Sequence, residues 1–191
     1  MSSYQERLTM QGLLIVISGP SGAGKASVTK GCGLEIAQSW TTRLPKSRDM
    51  PGEYKYVTKK EFMEGVGNGL LLEHDEHFGN LYGLAKPPAG KVVITDVDVN
   101  GARNLRHRPD VLLVGILPPD PIVETCLRRL RERGDESEEE ILERRDRISY
   151  EAELILSEWP KIIRNDNLSD ARKQLRIIIA NCCKARNIAY Q

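Results

Sequence analysis

Residues 19–25, GPSGAGK, set Gly19, Gly24 and Lys25 at the spacing G-x-x-x-x-G-K. Glycines at such positions let backbone N–H groups turn inward around an anion. The helix that follows adds partial positive charge, and the lysine reaches terminal phosphates. The chemistry is nucleotide phosphate binding, with Gly19, Pro20, Ser21, Gly22, Ala23, Gly24 and Lys25 as the cradle. The residue after the lysine ordinarily offers a hydroxyl to Mg²⁺. Here it is Ala26, with Ser27 one place later. A second support stands in ITDVD, where Asp96 and Asp98 close an apolar run. Two apart on a strand, their carboxylates are expected on one face, at the carboxyl edge where doubly wound sheets bind ligands. Ser27 and Asp96 are thus the expected supports of a magnesium ion, Asp96 through water.

The elements that position these groups are legible as alternating apolar runs and helical patterns. GLLIVIS (12–18) is continuously apolar and ends at the glycine-rich turn, which suits a strand buried on both faces. KVVITDVD (91–98), DVLLVGIL (110–117) and KIIRN (161–165) share that character. Helical spacing marks 119–132 and 168–185. Strands alternating with helices predict an α/β sandwich around a parallel sheet. Residues 36–83 break the rhythm with IAQSWTTR, EYKYVT and GLLLEHDE and one helix near 59–67, which reads as a small, mostly antiparallel insert. Residues 131–147, RERGDESEEEILERRDR, are dense in charge, and Ser137 with Glu140 forms a capping box that starts a helix. That segment reads either as a solvated helix face or as an arginine-bearing lid.

The chain of 191 residues is long enough for one domain with a substantial core. Its formal net charge of +1 offers no overall field for nucleic acid or membrane. The N-terminal MSSYQERLTMQ is polar and predicts no secretion signal, and no run reaches the ~20 apolar residues of a membrane span. Cys32, Cys126, Cys182 and Cys183 have no C-x-x-C spacing, which suits free thiols in a reducing cytoplasm. The expected partners are small molecules, and the sequence leaves monomer and homodimer open.

Seven segments in order, GPSGAGK, SWTTRLPK, LLEHDEHFGNLYG, TDVDVNGAR, ILPP, LRERGDESEEEILERR and RNDNLSDA, give the chain a family likeness. From Gly12 to about Ile179 it resembles guanylate kinase. The resemblance implies a P-loop NTPase-type three-layer sandwich, with 1–35, 84–127 and 148–191 as the ATP-binding core. It makes 36–83 a GMP-binding subdomain and 128–147 a helical lid. It implies Mg²⁺-dependent phosphoryl transfer from ATP to GMP. Ser39, Glu73 and Asp98 fall to the guanine, Arg43, Lys46, Tyr54 and Tyr82 to the GMP phosphate, and Asp96 to the GMP site as a whole. Arg131, Arg133 and Arg144 would serve the ATP phosphates from the lid, with Asn165 beside the adenine. Lys25, Arg43, Arg133 and Arg144 carry the catalytic charge. Glu73 suits guanine because one carboxylate accepts N1–H and the N2 amino group side by side, whereas adenine leaves it unpaired. Tyr54 and Tyr56 share a strand face, and Tyr54 is assigned to the ligand, Tyr56 to packing.

The likeness has departures. Ala26 stands where Ser or Gly is common, Lys46 stands for an arginine, with Arg48 nearby to compensate, and Leu84 stands for a hydroxyl beside the base. The helix after the loop is short. Pro87, Pro88 and Gly90 remove a helix between the subdomain and the strand before Asp96. Two other functions compete: a guanylate-kinase-like binding module without catalysis, and a nucleotide kinase of relaxed base preference. The intact loop lysine and lid arginines argue for the enzyme.

Overall fold

The computed structural model describes residues 12–45, 49, 52, 54–77, 79–134 and 136–189. The expectations for Lys46 and Arg48 lie outside these residues. Strand β1 (Leu13–Ser18) is wholly buried because its run of Leu, Ile and Val presents apolar side chains to both faces. It sits at the centre of a five-stranded sheet of order β2-β7-β1-β8-β9, with β2 (Glu35–Ile36), β7 (Val92–Asp96), β8 (Val111–Leu117) and β9 (Ile162–Arg164). All its pairings are parallel. Leu13, Ile15 and Ile17 face α7 (Leu168–Ala185) through Ala171, Leu175, Ile179 and Cys183. Leu14 and Val16 face α3 (Val99–Leu105) and α6 (Arg145–Glu158) through Val99, Ala102, Leu105 and Ile155. Alternation along one strand thus feeds both helical layers. Each such Leu or Ile contributes about 1.5–3 kcal/mol by burial.

The insert is a second, four-stranded sheet of order β4-β3-β6-β5. Its strands are β3 (Ser39–Thr41), β4 (Tyr54–Tyr56), β5 (Leu71–His77) and β6 (Asn80–Ala85). β6 runs antiparallel to both β3 and β5, while β4 joins β3 in parallel. Helix α2 (Lys59–Gly67) is started by a capping box between Thr58 and Glu61 and packs Phe62 under the sheet, beside Trp40 and Leu71. The expected boundaries of 36 and 83 shift slightly. Ile36 pairs with Ile94 in the large sheet, Ser39 opens the small one, and β6 runs on to Ala85.

Helix α1 (Lys25–Thr29) is short, and no helix lies between β6 and β7. Helix α4 (Ile122–Arg133) begins after Pro121 and ends on Gly134 at φ 74. The capping box of Ser137 and Glu140 starts α5 (Glu138–Glu143). Cys126, Leu127 and Leu130 of α4, Ile141 of α5 and Ile148 of α6 form a core that ties the charged segment to the body.

Candidate active site

The loop between β1 and α1 has the geometry that its glycines demand. Gly22 and Gly24 take φ of 82 and 90, where L side chains are strained. A Cβ on Gly22 would stand 2.5 Å from the Cys126 carbonyl oxygen, and one on Gly24 would stand 2.4 Å from the Asn165 amide nitrogen. Lys25 opens α1 and donates from Nζ to the carbonyl of Gly19 at 2.7 Å, folding back across the loop. Desolvation holds its ammonium pKa below the ordinary value, with Asp96 and Glu151 opposing the shift.

Two side chains prop the loop from behind. Asn165 donates to the Ala23 carbonyl at 2.9 Å, and Arg129 donates to the same oxygen at 3.1 Å and to the Asn165 carbonyl at 2.9 Å. Arg129 was not singled out from sequence, since RRLRE offers several arginines on helical spacing and only packing distinguishes them. Of Arg131, Arg133 and Arg144, which the resemblance gives to a lid, Arg144 reaches the loop, donating to Ser21 Oγ at 3.1 Å while pairing with Glu136. Arg133 lies against Glu136, and Arg131 against Glu138.

In the small sheet, strand register assembles residues far apart in sequence. Tyr54, Ser39, Leu84 and Glu73 form one row across β4, β3, β6 and β5, and Tyr56, Thr41, Tyr82 and Asp75 form the next. Side chains two apart share a face, so both rows belong to one face of the small sheet. Trp40, Lys55 and His74 alternate with them, and Lys55 lies 3.8 Å over the Trp40 ring. The irregularity between Leu71 and Glu73 brings Glu73 opposite Leu84.

This face meets the carboxyl edge of the large sheet in a cleft of about 1050 Å³. Ser39, Tyr54, Glu73, Tyr82, Leu84, Asp96 and Asp98 line it, with Asp75, Asn100, Gly101, Asn104, Arg147, Tyr150 and Glu151. Asp75 carries a signal that the sequence reading passed over, its two-residue spacing from Glu73. The α3 and α6 residues carry none, because their approach depends on tertiary packing.

Two expectations are corrected. Asp98 does not continue the strand: β7 ends at Asp96, and Asp98 is the N-cap of α3, accepting from the Gly101 amide at 2.9 Å. A Cβ on Gly101 would stand 3.5 Å from Glu73 Oε2 and 3.8 Å from either Asp98 oxygen, so both carboxylates flank this glycine. Tyr56 does not pack into the subdomain core. Its ring is 38% exposed and its hydroxyl donates to Asp49 at 2.5 Å, because the core lies on the opposite sheet face.

Arg43 follows β3 and makes a bidentate pair with Asp49, both N–O distances 2.7 Å. The guanidinium also lies 4.6 Å over the Tyr54 ring. Its hydrogen bonds with Asp49 raise its pKa further, so it is a permanent cation.

Among the described residues no group of three or more His, Cys, Asp or Glu could hold a metal alone. Ser27 is exposed on α1, and Asp96 is exposed at the end of β7, in register with Ile17 just before the loop. Asp96 lines a pocket with Ala26 and Thr29, and Ser27 is not among its lining residues. One carboxylate at this edge suits an octahedral ion that keeps waters and phosphate oxygens as its other ligands.

Comparison with known proteins agrees with this geometry. The family model "Guanylate kinase" matches residues 11–182. A guanylate kinase of Lactobacillus delbrueckii subsp. bulgaricus is 36% identical over 185 residues, covering 88% of this chain and 88% of the relative. One from Clostridium perfringens is 35% identical over 188 residues, covering 91% and 86%. One from Caldanaerobacter subterraneus is 34% identical over 188 residues, covering 91% and 90%. The crystal structure of guanylate kinase from Anaplasma phagocytophilum shares the fold at a TM-score of 0.64 and 22% identity, covering 91% of this chain and 87% of that one. With a phosphate loop facing a carboxylate-lined acceptor cleft, the chain belongs to the guanylate kinase family, the ATP:GMP phosphotransferases.

Proposed function

We propose that the cleft binds GMP with its base toward Glu73, Asp98 and Ser39 and its phosphate toward Tyr54, Tyr82 and Arg43. ATP lies with its phosphates over Gly19–Ser27 and its adenine near Asn165. The observation that carries this reading is the meeting of Glu73 and Asp98 across Gly101, within one cleft that extends to Asp96 at the loop. Two adjacent carboxylates match the adjacent N1–H and N2 amino donors of guanine, and no such donor pair exists on adenine.

The reaction needs no protein nucleophile. An oxygen of the GMP phosphate forms a bond to the γ-phosphorus of ATP as the bond to the β,γ-bridging oxygen breaks, leaving ADP and GDP. Lys25 and the lid arginines Arg144, Arg133 and Arg131 neutralise charge on the phosphoryl group in transit. Arg144, already at Ser21, is closest to that task. Ser27 and Asp96 would help hold a magnesium ion on the ATP phosphates, which would supply further positive charge there. Residues 39–85 serve as the acceptor subdomain and 128–147 as the lid. The free thiols suit a reducing, cytoplasmic setting.

ADP formation from ATP and Mg²⁺, measured against GMP, IMP, AMP, UMP and CMP with Lys25→Met as control, tests the reading. Turnover with GMP, weak turnover with IMP and none with AMP is the expected result. Comparable turnover with AMP would move the assignment to a kinase of relaxed base preference. A folded protein that binds GMP without turnover would move it to a binding module.

A further inference from the structure

Arg147 stands apart from the arginines that sequence motifs assign. It lies on the first turn of α6 and lines the acceptor cleft together with Asp96, Asp98 and Glu151. Its Nε donates to Glu151 Oε1 at 2.7 Å. Neither Nη atom has an acceptor among the described residues, and the side chain is 65% exposed to the cleft. Glu151, in contrast, is 6% exposed. A buried carboxylate requires cationic partners. Here they are Arg147 on one side and the field of the loop's Lys25 on the other. Arg147 in turn lies within the field of Asp98 as well as that of Lys25. Its guanidinium is therefore electrostatically coupled to both the donor and the acceptor side of the cleft.

We propose that Arg147 is a catalytic residue, whose Nη1 and Nη2 donate to oxygens of the phosphoryl group as it passes from ATP to GMP, and that buried Glu151 is the positioning residue that aims it. The proposal rests on the phosphotransfer reading above. In this step one P–O bond forms at the GMP phosphate and one breaks at the ADP leaving oxygen. The guanidinium stays protonated throughout and transfers nothing. A planar fork fixed at Nε by a carboxylate keeps two parallel donors for phosphate, which a lysine cannot supply. Being anchored through a buried partner, the fork is oriented before the substrates arrive, which is the condition under which such donors act on the rate.

The test uses the full chain as wild type, Arg147→Ala, Arg147→Lys and Glu151→Gln. Arg147→Ala is expected to lower kcat by about 10²-fold with little change in the calorimetric Kd for GMP or in Tm. Added guanidinium ion at millimolar concentration is expected to restore part of that loss. Arg147→Lys should recover only a fraction of it, and Glu151→Gln should lower kcat by less than Arg147→Ala while leaving GMP binding intact. The proposal is overturned if Arg147→Ala keeps the wild-type kcat. It is equally overturned if kcat and Tm fall together with no response to guanidinium, because the residue is then a brace for α6. A wild-type protein that phosphorylates no acceptor would instead remove the phosphotransfer reading itself, and the role of Arg147 with it.

Discussion

Arg43 and Asp49 face each other fork to fork, with side chains only 10% and 11% exposed and both N–O distances at 2.7 Å. The arginine assigned to the GMP phosphate is thus already occupied by a carboxylate. An incoming phosphate competes with Asp49 for the same planar donors. Asp49→Asn keeps the size of the side chain and removes its charge. We expect this variant to lower KM for GMP several-fold and to steepen the dependence of KM on ionic strength, since the site gains a unit of positive charge. A raised KM in steady-state assays would show instead that Asp49 positions Arg43 for the ligand.

Lys25 gives a pH-dependent prediction. Its folded pKa lies below the ordinary value of 10.5, chiefly through desolvation. The sign follows from linkage: between the folded and unfolded pKa values the unfolded chain binds more protons, so stability rises with pH there. Below the folded pKa the buried charge costs stability in full, and above 10.5 the cost is gone. Lys25→Met should therefore abolish turnover while raising the Tm of the ligand-free protein at pH 7, and the gain should shrink as pH rises from the folded pKa toward 10.5. Thermal unfolding over pH 7 to 11 checks it. A Tm below wild type at pH 7 would mean that the Nζ bond to Gly19 outweighs desolvation.

In the proposed reading, base selection rests on the row Ser39–Leu84–Glu73. Removing the charge of Glu73 mispairs guanine, at a cost of about 1–3 kcal/mol. Glu73→Gln should lower kcat/KM for GMP by roughly 5- to 100-fold, with about 1.4 kcal/mol to each tenfold step, and should lower the GMP-to-AMP preference. Equal rates before and after the change would remove Glu73 from the base site. Leu84 is 2% exposed in the same row. Leu84→Thr adds a hydroxyl there, and we expect a lower KM for GMP together with a lower Tm, because a buried apolar contact is lost.

The phosphate loop depends on what stands behind it. Gly24→Ala meets both an unfavourable φ, worth about 1–2 kcal/mol, and the Asn165 amide at 2.4 Å. It should weaken ATP binding and lower Tm. Arg129→Met removes the donors to Ala23 and Asn165. It should raise KM for ATP more than KM for GMP. Calorimetric titration with an unreactive ATP analogue separates the two effects, and equal losses for both nucleotides would point to general unfolding of the loop region.

Much of the architecture is legible along the chain because it is written locally. The runs at 13–17 and 111–117 are apolar on every residue and end at turn signals, which suits strands covered on both faces. The glycines at 22 and 24 permit one kind of turn, and Ser137 with Glu140 starts a helix wherever it stands. These are short-range constraints of sterics and hydrogen bonding, and neighbouring residues are enough to read them. The phosphate loop, the succession of strands along the chain and the helix over 168–185 follow from them.

What the tertiary structure decided is the company each side chain keeps. Asp98 reads as a strand residue from its spacing to Asp96, yet the strand stops and a helix begins between them. Only the packing of α3 places its carboxylate, with that of Glu73, beside Gly101. Tyr56 shares its strand face with Tyr54, and the fold of the small sheet determines that this face is turned away from the core of Trp40, Phe62 and Leu71. Arg129 and Arg147 look like any arginine in a charged helix. Their roles depend on long-range contacts, with Ala23 and Asn165 in one case and with Glu151, Lys25 and Asp98 in the other. Motif spacing reveals which groups can bind phosphate. Which charges converge on one point is set by how strands and helices pack, and no local rule of sequence contains that information.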